Sequence, residues 1–274
     1  MNDSNIIVKQ NSDGKSPVTA AAFSIIGHRE YQQDFAGLVT EDRTTLAVIC
    51  DGMGGLNGGE RASREAVQLL LEDYEREQPS QQFTEFLCQE AARMDHLVCG
   101  LTNSQGQPLK AGSTTVSVMI HDGELYWMSV GDSRIYVLRG TSIVPVTRDH
   151  NYRRELEDML AKGEITKERF QSETATRRAD ALTSYLGMGG LRRLERNMQP
   201  FVLEKGDMVL LCSDGLYKSL DEHQIQAMIL DNQASLTVAV RRMVRMAKEL
   251  AVKSQDNTTA VLLRYEGMPG EEKM

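Results

Sequence analysis

One short segment constrains the fold of this chain more than any other: the run TTLAVIC at residues 44–50, which is almost entirely apolar. A strand with one solvated face alternates apolar and polar residues, whereas a strand covered on both faces reads as a continuous apolar run. Shorter runs of the same kind occur within residues 207–213 and 258–264. These strands need material packed on both sides, which predicts stacked sheets with helices on the outside.

Helical periodicity supplies the outer layers. Apolar residues recur at helical spacing in three segments, residues 60–77, 83–98 and 236–251. The first two are joined by a short link around Pro79. We therefore expect an antiparallel helix pair that covers one sheet, and a long helix late in the chain.

The chain has 274 residues, enough for one large domain or two small ones. Residues 1–17 are polar and are predicted to form a flexible arm with a short strand at residues 6–8. We find neither an internal repeat nor a linker, so residues 18–266 are predicted to be a single domain. Within it, residues 149–185 are highly charged and poorly periodic after about residue 161, which is typical of a surface excursion.

Two local signals predict particular turns. Asp122-Gly123 stands between two apolar runs and predicts a β-hairpin. Asp221, followed three residues later by Gln224, predicts a capping box that opens a short helix.

The charge balance restricts the partners. The formal net charge is −8 and the sequence pI is about 5.3. Binding to nucleic acid or to anionic membranes depends on Lys and Arg neutralising phosphates, so neither partner is expected. A phosphate-bearing substrate remains compatible, because bound cations invert the local charge.

The cysteines and the hydropathy indicate a cytoplasmic protein. The four cysteines, at positions 50, 88, 99 and 212, form no C-x-x-C pair, and two of them end apolar runs. Reduced thiols are the expected state, with a zinc site improbable. No apolar run approaches the roughly 20 residues that span a bilayer, and no signal-peptide core precedes the first strands.

Four aspartates stand at the boundaries of apolar runs. Asp51, Asp132 and Asp214 each follow such a run, and Asp256 directly precedes one. A carboxylate at the edge of a rigid sheet needs a cation or a donor to offset its desolvation, and converging carboxylates are typical ligands of hard cations. Any one of these residues is more simply an ordinary turn aspartate. Four in this pattern favour a divalent-metal site.

The glycines after Asp51, in the sequence DGMGG at residues 51–55, allow a close approach of the backbone. The carbonyl of Gly52 is therefore a candidate metal ligand. A phosphate-binding glycine loop is the alternative, but the segment has neither the P-loop Lys-Ser/Thr nor the G-x-G-x-x-G spacing.

Seven segments together resemble the motif series of the PPM (type 2C) protein phosphatases, in order and spacing from about residue 20 to 264. They are residues 27–34 (GHREYQQD), 48–55 (VICDGMGG), 112–115 (GSTT), 130–134 (VGDSR), 149–150 (DH), 211–216 (LCSDGL) and 256–259 (DNTT). The bacterial branch is the more similar one, because Met53 stands where eukaryotic members typically carry a histidine. The resemblance implies an α+β fold, a four-layer α-β-β-α sandwich of two mostly antiparallel sheets, with residues 149–185 as the flap.

The resemblance also implies a set of metal ligands. Asp51 is expected to bridge two Mg²⁺ or Mn²⁺ ions, and the Gly52 carbonyl to help bind one of them. Asp214 and Asp256 complete the first site, and Asp34 supports the second, directly or through water.

Two further roles follow from the same resemblance. Asp132 matches the aspartate that bacterial members use for a third, weaker metal ion. Arg29 matches the arginine that grips the substrate phosphate, and its planar guanidinium suits bidentate contacts with a phosphoryl group. A solvated surface arginine is the alternative reading of Arg29.

The residue types fit a reaction with no protein nucleophile. The sequence has no Cys-x5-Arg loop and no evident Ser-His-Asp order, whereas a two-metal centre activates a water instead. His28 and His150 are conceivable helpers in proton transfer, but a structural role is favoured for each, and metal-bound water is the expected acid. The flap lacks the His-Pro and Arg-Asn pattern common in bacterial members, so its effect on substrate choice stays open.

The expected function is hydrolysis of phosphoserine and phosphothreonine monoesters in proteins, by a monomer that acts on targets of a serine/threonine kinase. Two alternatives are weighed against it. One is a pseudophosphatase that keeps the fold as a binding module, which the complete aspartate series disfavours. The other is an unrelated metal-dependent hydrolase that acts on a small phosphate ester.

Overall fold

The computed structural model describes residues 5–10, 16–55, 58–251 and 254–268, apart from the side chain of Arg177. The strands are β1 (Ile6–Gln10), β2 (Val18–Ile25), β3 (Asp34–Thr40), β4 (Thr44–Gly54), β5 (Ala111–Ser113), β6 (Thr115–His121), β7 (Glu124–Val130), β8 (Arg134–Arg139), β9 (Ser142–Pro145), β10 (Glu195–Arg196), β11 (Phe201–Val202), β12 (Met208–Cys212) and β13 (Thr258–Tyr265). The helices are α1 (Gly58–Glu77), α2 (Phe83–Cys99), α3 (Tyr152–Ala161), α4 (Lys167–Thr174), α5 (Asp214–Tyr217), α6 (Glu222–Leu230) and α7 (Leu236–Leu250). Among the described helices, none combines the length and the apolar character needed to cross a membrane.

The first sheet holds eight strands. β1, β3, β4, β6, β7 and β10 lie side by side in that order, while β5 pairs with β4 and β11 pairs with β7. β1 runs parallel to β3, and the other described pairs of this sheet are antiparallel. The strand predicted at residues 6–8 is confirmed. The flexible arm is wrong for residues 6–10, because they form a strand paired with β3.

The second sheet holds five strands in the order β2, β13, β12, β8, β9, and all of these pairs are antiparallel. The second sheet therefore combines strands from both ends of the chain, since the early β2 lies beside the last strand, β13. This arrangement brings the segment before β3 close to the segment before β13.

The alternation of side chains along β4 builds two layers at once. Leu46, Val48 and Cys50 belong to the apolar cluster that packs the first sheet against α1 and α2. Ala47 and Ile49 point the other way, into the cluster between the two sheets. A third cluster packs α6 and α7 on the outer face of the second sheet. The predicted four-layer sandwich is confirmed, because a strand buried on both faces can lie only in an inner layer.

Both predicted turn signals are confirmed. In the hairpin between β6 and β7, Asp122 and Gly123 have φ of 49° and 80°, as a type I′ turn requires. The Asp221 side chain accepts from the backbone of Gln224, whose side chain accepts from the Asp221 backbone, so α6 begins with the predicted capping box.

The segment 149–185 contains two helices that were not predicted from the sequence, α3 and α4, followed by a 3-10 turn at Arg177–Asp180. Their N-caps were the available signal: the side chains of Asn151 and Thr166 each accept a hydrogen bond from the backbone three residues on. Only Leu156 of α3 is fully buried and α4 buries no residue. The predicted surface character is therefore confirmed for this segment.

A polar cluster joins α1 to α2 beneath the surface. Asp73 and Glu90 are each 1% exposed. Arg93 lies 2.6 Å from Asp73 Oδ2 and 3.1 Å from Glu90 Oε1, and Arg76 lies 2.5 Å from Asp73 Oδ1. Burial and the neighbouring Asp73 carboxylate raise the pKa of Glu90 to about 7, although Arg93 opposes this.

This cluster makes stability depend on pH. Because the folded pKa of Glu90 lies above its ordinary value of 4.5, the folded state binds more protons than the unfolded chain between pH 4.5 and about 7. The stability that Glu90 contributes is present below this range and is lost as the pH rises through it. We expect wild type to lose about 1–3 kcal/mol across this range relative to Glu90→Gln, measured by urea unfolding. Unfolding free energies of the two proteins that stay parallel with pH would contradict this.

Candidate metal centre

Asp34 and Asp51 face each other across paired strands. The antiparallel register of β3 and β4 places the two residues directly opposite. β4 continues to Gly54, so Asp51 lies within the strand rather than after it. Asp34 is 1% exposed; its Oδ2 accepts from Ser213 Oγ at 2.7 Å, and its Oδ1 is buried without a hydrogen-bond partner among the described residues. A buried anionic oxygen without a donor is costly, so this position fits a cation.

The other three aspartates of the predicted set come from the connections around the strands. Asp132 lies between β7 and β8, Asp214 is the first residue of α5, and Asp256 lies two residues before β13. Together with Asp51 they line one cleft of about 270 Å³. The structure thus brings together all four aspartates at the boundaries of apolar runs, with Asp34 packed behind them.

Burial and mutual repulsion raise the pKa values of three of these carboxyl groups. Burial raises the pKa of Asp34 and of Asp132 to about 7, and the Asp214 carboxylate adds to both shifts. Burial, followed by the charges of Asp34 and Asp214, raises the pKa of Asp51 well above its ordinary value. Carboxyl groups in this state gain strongly from a bound cation, which offsets both the desolvation and the repulsion.

Two cationic side chains, Arg29 and Lys218, form ion pairs with aspartates of the cleft. Arg29 Nη2 lies 2.6 Å from Asp256 Oδ2, with the Arg29 side chain 57% exposed. Lys218 Nζ lies 2.5 Å from Asp214 Oδ2 and 3.9 Å from Asp132 Oδ2. No three His, Cys, Asp or Glu side chains in the described part of the chain converge as a ligand set around one point. The assignment of ligands therefore stays a prediction.

Lys218 was missed by the reasoning from sequence. Burial lowers the pKa of its ammonium, but the carboxylates of Asp214 and Asp132 outweigh burial and raise that pKa above its ordinary value. The available signal was its position four residues after Asp214, which places two side chains on one side of a helical turn.

Gly52 is required by packing as well as by its suggested role as a carbonyl ligand. A Cβ on Gly52 would lie 2.0 Å from the carbonyl oxygen of Gly59, at the start of α1, and 2.7 Å from that of Gln33. The Gly52 N–H donates to the same Gln33 carbonyl at 2.9 Å. The absence of a side chain therefore lets α1 and the segment before β3 close on the strand that carries Asp51.

A clamp that the sequence did not reveal holds the segment bearing Arg29. The Asn257 side chain accepts from Gln33 N at 2.8 Å and donates to the carbonyls of Ile26 and Tyr31 at 2.9 and 3.0 Å. These bonds bracket the loop between β2 and β3. The residue beside Asp256 thus fixes the loop that presents Arg29.

The two histidines considered as proton-transfer groups are both placed for structural roles. His28 Nδ1 accepts from Gln255 N at 2.9 Å, which ties the Arg29 loop to the segment before β13. His150 is 2% exposed and its Nδ1 accepts from Gly131 N at 3.1 Å. Burial lowers the pKa of His150 to about 4, so the ring is neutral near pH 7. The structural reading favoured from the sequence is supported for each.

A two-sheet sandwich with helices outside, and a carboxylate cleft that one arginine borders, define the class of metal-dependent phosphatases. The sequence model of the family described as Protein phosphatase 2C matches residues 24–254. The chain belongs to the protein phosphatase 2C family, as the seven motifs predicted.

Individual relatives agree with the family assignment. The chain is 28% identical over 239 residues to the serine/threonine phosphatase stp of Listeria welshimeri, covering 86% of this chain and 90% of the relative. The fold is similar to that of the S. agalactiae serine/threonine phosphatase, with a TM-score of 0.78, 23% identity and coverage of 91% and 100%. It is also similar to the catalytic domain of the phosphatase PstP in complex with two manganese ions, with a TM-score of 0.71, 22% identity and coverage of 90% and 97%.

Proposed function

We propose that this chain hydrolyses phosphoserine and phosphothreonine monoesters in proteins, with Mg²⁺ or Mn²⁺ as its cofactor. The observation that carries the proposal is that four aspartates, from both sheets, line one cleft that Arg29 also lines. Membership of the protein phosphatase 2C family supports it. The comparisons lend no support to the alternative of an inactive binding module.

The metal assignment is part of the proposal. Asp51 would serve both core ions, Asp214 and Asp256 would complete the first site, and the Gly52 carbonyl would contribute a further oxygen. Asp34 would support the second ion. Its Oδ1 is buried without a hydrogen-bond partner among the described residues, which favours this role. Bound there, the ions would lower the pKa of a water, the nucleophile, and neutralise charge on the phosphoryl group.

Asp132 is proposed to serve a third, more weakly bound ion. It lines the same cleft from the connection between β7 and β8, away from the paired strands that carry Asp34 and Asp51. A site with one strong carboxylate and several waters is weak, because Mg²⁺ and Mn²⁺ give up hydration reluctantly.

The chain's own residues supply orientation rather than a nucleophile. Among the described residues that line the cleft there is neither a cysteine nor a histidine, and Met53 offers no proton. We propose that the exposed guanidinium of Arg29 binds a phosphoryl oxygen, which would require it to release Asp256.

The flap, residues 149–185, borders the cleft. Asp180 and Leu182 of the flap line the cleft, so residues 149–185 contribute to substrate choice.

We propose that residues 18–266 form one catalytic domain that acts as a cytoplasmic monomer on targets of a serine/threonine kinase. The free state of the four cysteines agrees with a reducing compartment. The net charge of −8 agrees with the expectation of no nucleic-acid or membrane partner.

Turnover on matched substrates tests this function. Peptides carrying phosphoserine, phosphothreonine or phosphotyrosine, and a nucleoside monophosphate, are compared with Mn²⁺ present and after its removal by a chelator. The proposal requires Mn²⁺-dependent release of phosphate from the first two peptides. Preference for the nucleotide would favour the small-ester hydrolase, and no turnover on any substrate would favour the binding module.

Arg29 gives a sharper test of substrate binding. We expect Arg29→Ala to raise KM for a phosphopeptide by about tenfold, because a charge-assisted contact with the phosphoryl group is lost. The melting temperature should stay close to wild type, since the side chain is 57% exposed. Arg43→Ala is the matched control: Arg43 also pairs with an aspartate, Asp122, and is 66% exposed, but lies at the other end of the sheet. Loss of the melting transition in Arg29→Ala would instead make Arg29 structural.

A further inference from the structure

The position of Lys218 between two aspartates of the cleft is not explained by the proposed metal assignment. Its ammonium lies 2.5 Å from Asp214 Oδ2 and 3.9 Å from Asp132 Oδ2. The two carboxylates are poorly solvated, with side chains 15% and 8% exposed. The lysine therefore offsets charge at the side of the cleft where Asp132 faces Asp214.

The backbone holds this lysine in place. α5 starts at Asp214, two residues after the last residue of β12, and the Lys218 N–H donates to the Asp214 carbonyl at 3.0 Å. The side chains four residues apart then meet on one side of the turn. The short tether favours the ion pair over a freely solvated lysine.

No other cationic side chain in the described part of the chain lies within 4 Å of the Asp132 carboxylate. The nearby Arg134 is committed elsewhere: its guanidinium makes a bidentate contact with Asp149 at 2.9 and 2.8 Å and lies over the Tyr217 ring. Among the residues that the structure describes, Lys218 alone therefore provides a counter-charge for Asp132.

We propose that Lys218 is a built-in competitor of the third metal ion, whose ammonium occupies the position between Asp132 and Asp214 until that ion displaces it. The inference rests on the proposed function. An ammonium and a divalent cation repel each other, and both are attracted to the Asp132 carboxylate. The lysine thus weakens the third ion and raises the metal concentration at which that ion binds.

Metal binding without substrate tests this directly. Calorimetric titration with Mn²⁺, and ion counts by native mass spectrometry, are made on wild type, Lys218→Met and Lys218→Gln. We expect both variants to bind the weakest ion at least about tenfold more tightly, because a competing charge is removed. Lys248→Met, which removes an exposed lysine of α7, should leave all binding steps unchanged.

A second variant locates the effect. In an Asp132→Asn background, Lys218→Met should no longer tighten any ion, because the ion in question depends on Asp132. Tightening that persists there would overturn the proposal and place the influence of Lys218 on the core ions through Asp214.

The remaining outcomes separate this proposal from the proposed function. If wild type binds core ions and turns over phosphopeptide, but the weak step is the same in Lys218→Met, only the Lys218 proposal fails. A change in KM without a change in ion binding would likewise overturn it and assign the lysine to the substrate. If wild type binds no Mn²⁺, the proposed function fails and this inference with it.

Discussion

We expect Asp51→Asn to lower kcat on a phosphopeptide at least about a hundredfold at saturating Mn²⁺, with little loss of fold. Asn preserves the size of the side chain but replaces one carboxylate oxygen with an NH2 group, which cannot bind a cation. The fold should survive because the backbone of Asp51 keeps its pairing with β3 and its bond to Thr114. Burial and neighbouring charges oppose ionisation of Asp51, so its neutral replacement relieves repulsion in the metal-free protein.

Turnover and calorimetric Mn²⁺ binding measure this effect. Asp42→Asn is the matched control: it makes the same change at an exposed turn position, at the far end of the β3–β4 hairpin. The control should keep normal kcat and both core ions. Near-normal turnover by Asp51→Asn at saturating Mn²⁺ would remove Asp51 from the metal centre.

We expect Gly52→Ala to destabilise the protein by at least about 3 kcal/mol, because the new methyl group would overlap backbone rather than a movable side chain. The Cβ would lie 2.0 Å from the Gly59 carbonyl oxygen and 2.5 Å from the Gly59 carbonyl carbon. Relief requires α1 to move away from β4, which displaces the strand that carries Asp51. We therefore expect lost stability and weakened Mn²⁺ binding together.

Gly55→Ala is the control in the same glycine segment. A Cβ at Gly55 meets no atom of the described residues within 4 Å, so its effect on stability should stay within about 0.5 kcal/mol. Urea unfolding measures both variants, and failure of Gly52→Ala alone to fold agrees with the expectation. Equal stabilities of the two variants would show that the close packing of β4 on α1 tolerates a methyl group.

The layered fold was accessible from sequence because burial on two faces leaves a continuous apolar run in a strand. The run at residues 44–50 predicted an inner strand, and Leu46 and Ala47 indeed pack into clusters on opposite faces of β4. The segment 149–185 was less readable. The helix α4 buries no residue, so the apolar periodicity that reveals other helices is weak there. The helix α3 does carry apolar residues at helical spacing, at positions 152, 156, 159 and 160, but no helix was predicted from them.

The candidate site divides in a similar way. Asp51, Asp132, Asp214 and Asp256 could be selected because each stands at the boundary of an apolar run, a property of a few adjacent residues. Asn257 could not, since its role is to bond the loop between β2 and β3, more than 220 residues away in the chain. Arg29 was selected only through the resemblance of its motif.

By itself the sequence determined that the strands at residues 44–50, 207–213 and 258–264 are buried on both faces, where the hairpin at Asp122-Gly123 turns, and which aspartates stand at the boundaries of apolar runs. These features depend on neighbouring residues, whose periodicity and turn chemistry act locally. Only the tertiary structure decided that Asp34 lies opposite Asp51, that residues 6–10 join the first sheet, and that Lys218 faces Asp132. Each of these depends on which distant segments become neighbours, and that is set by packing of the whole core rather than by local preference.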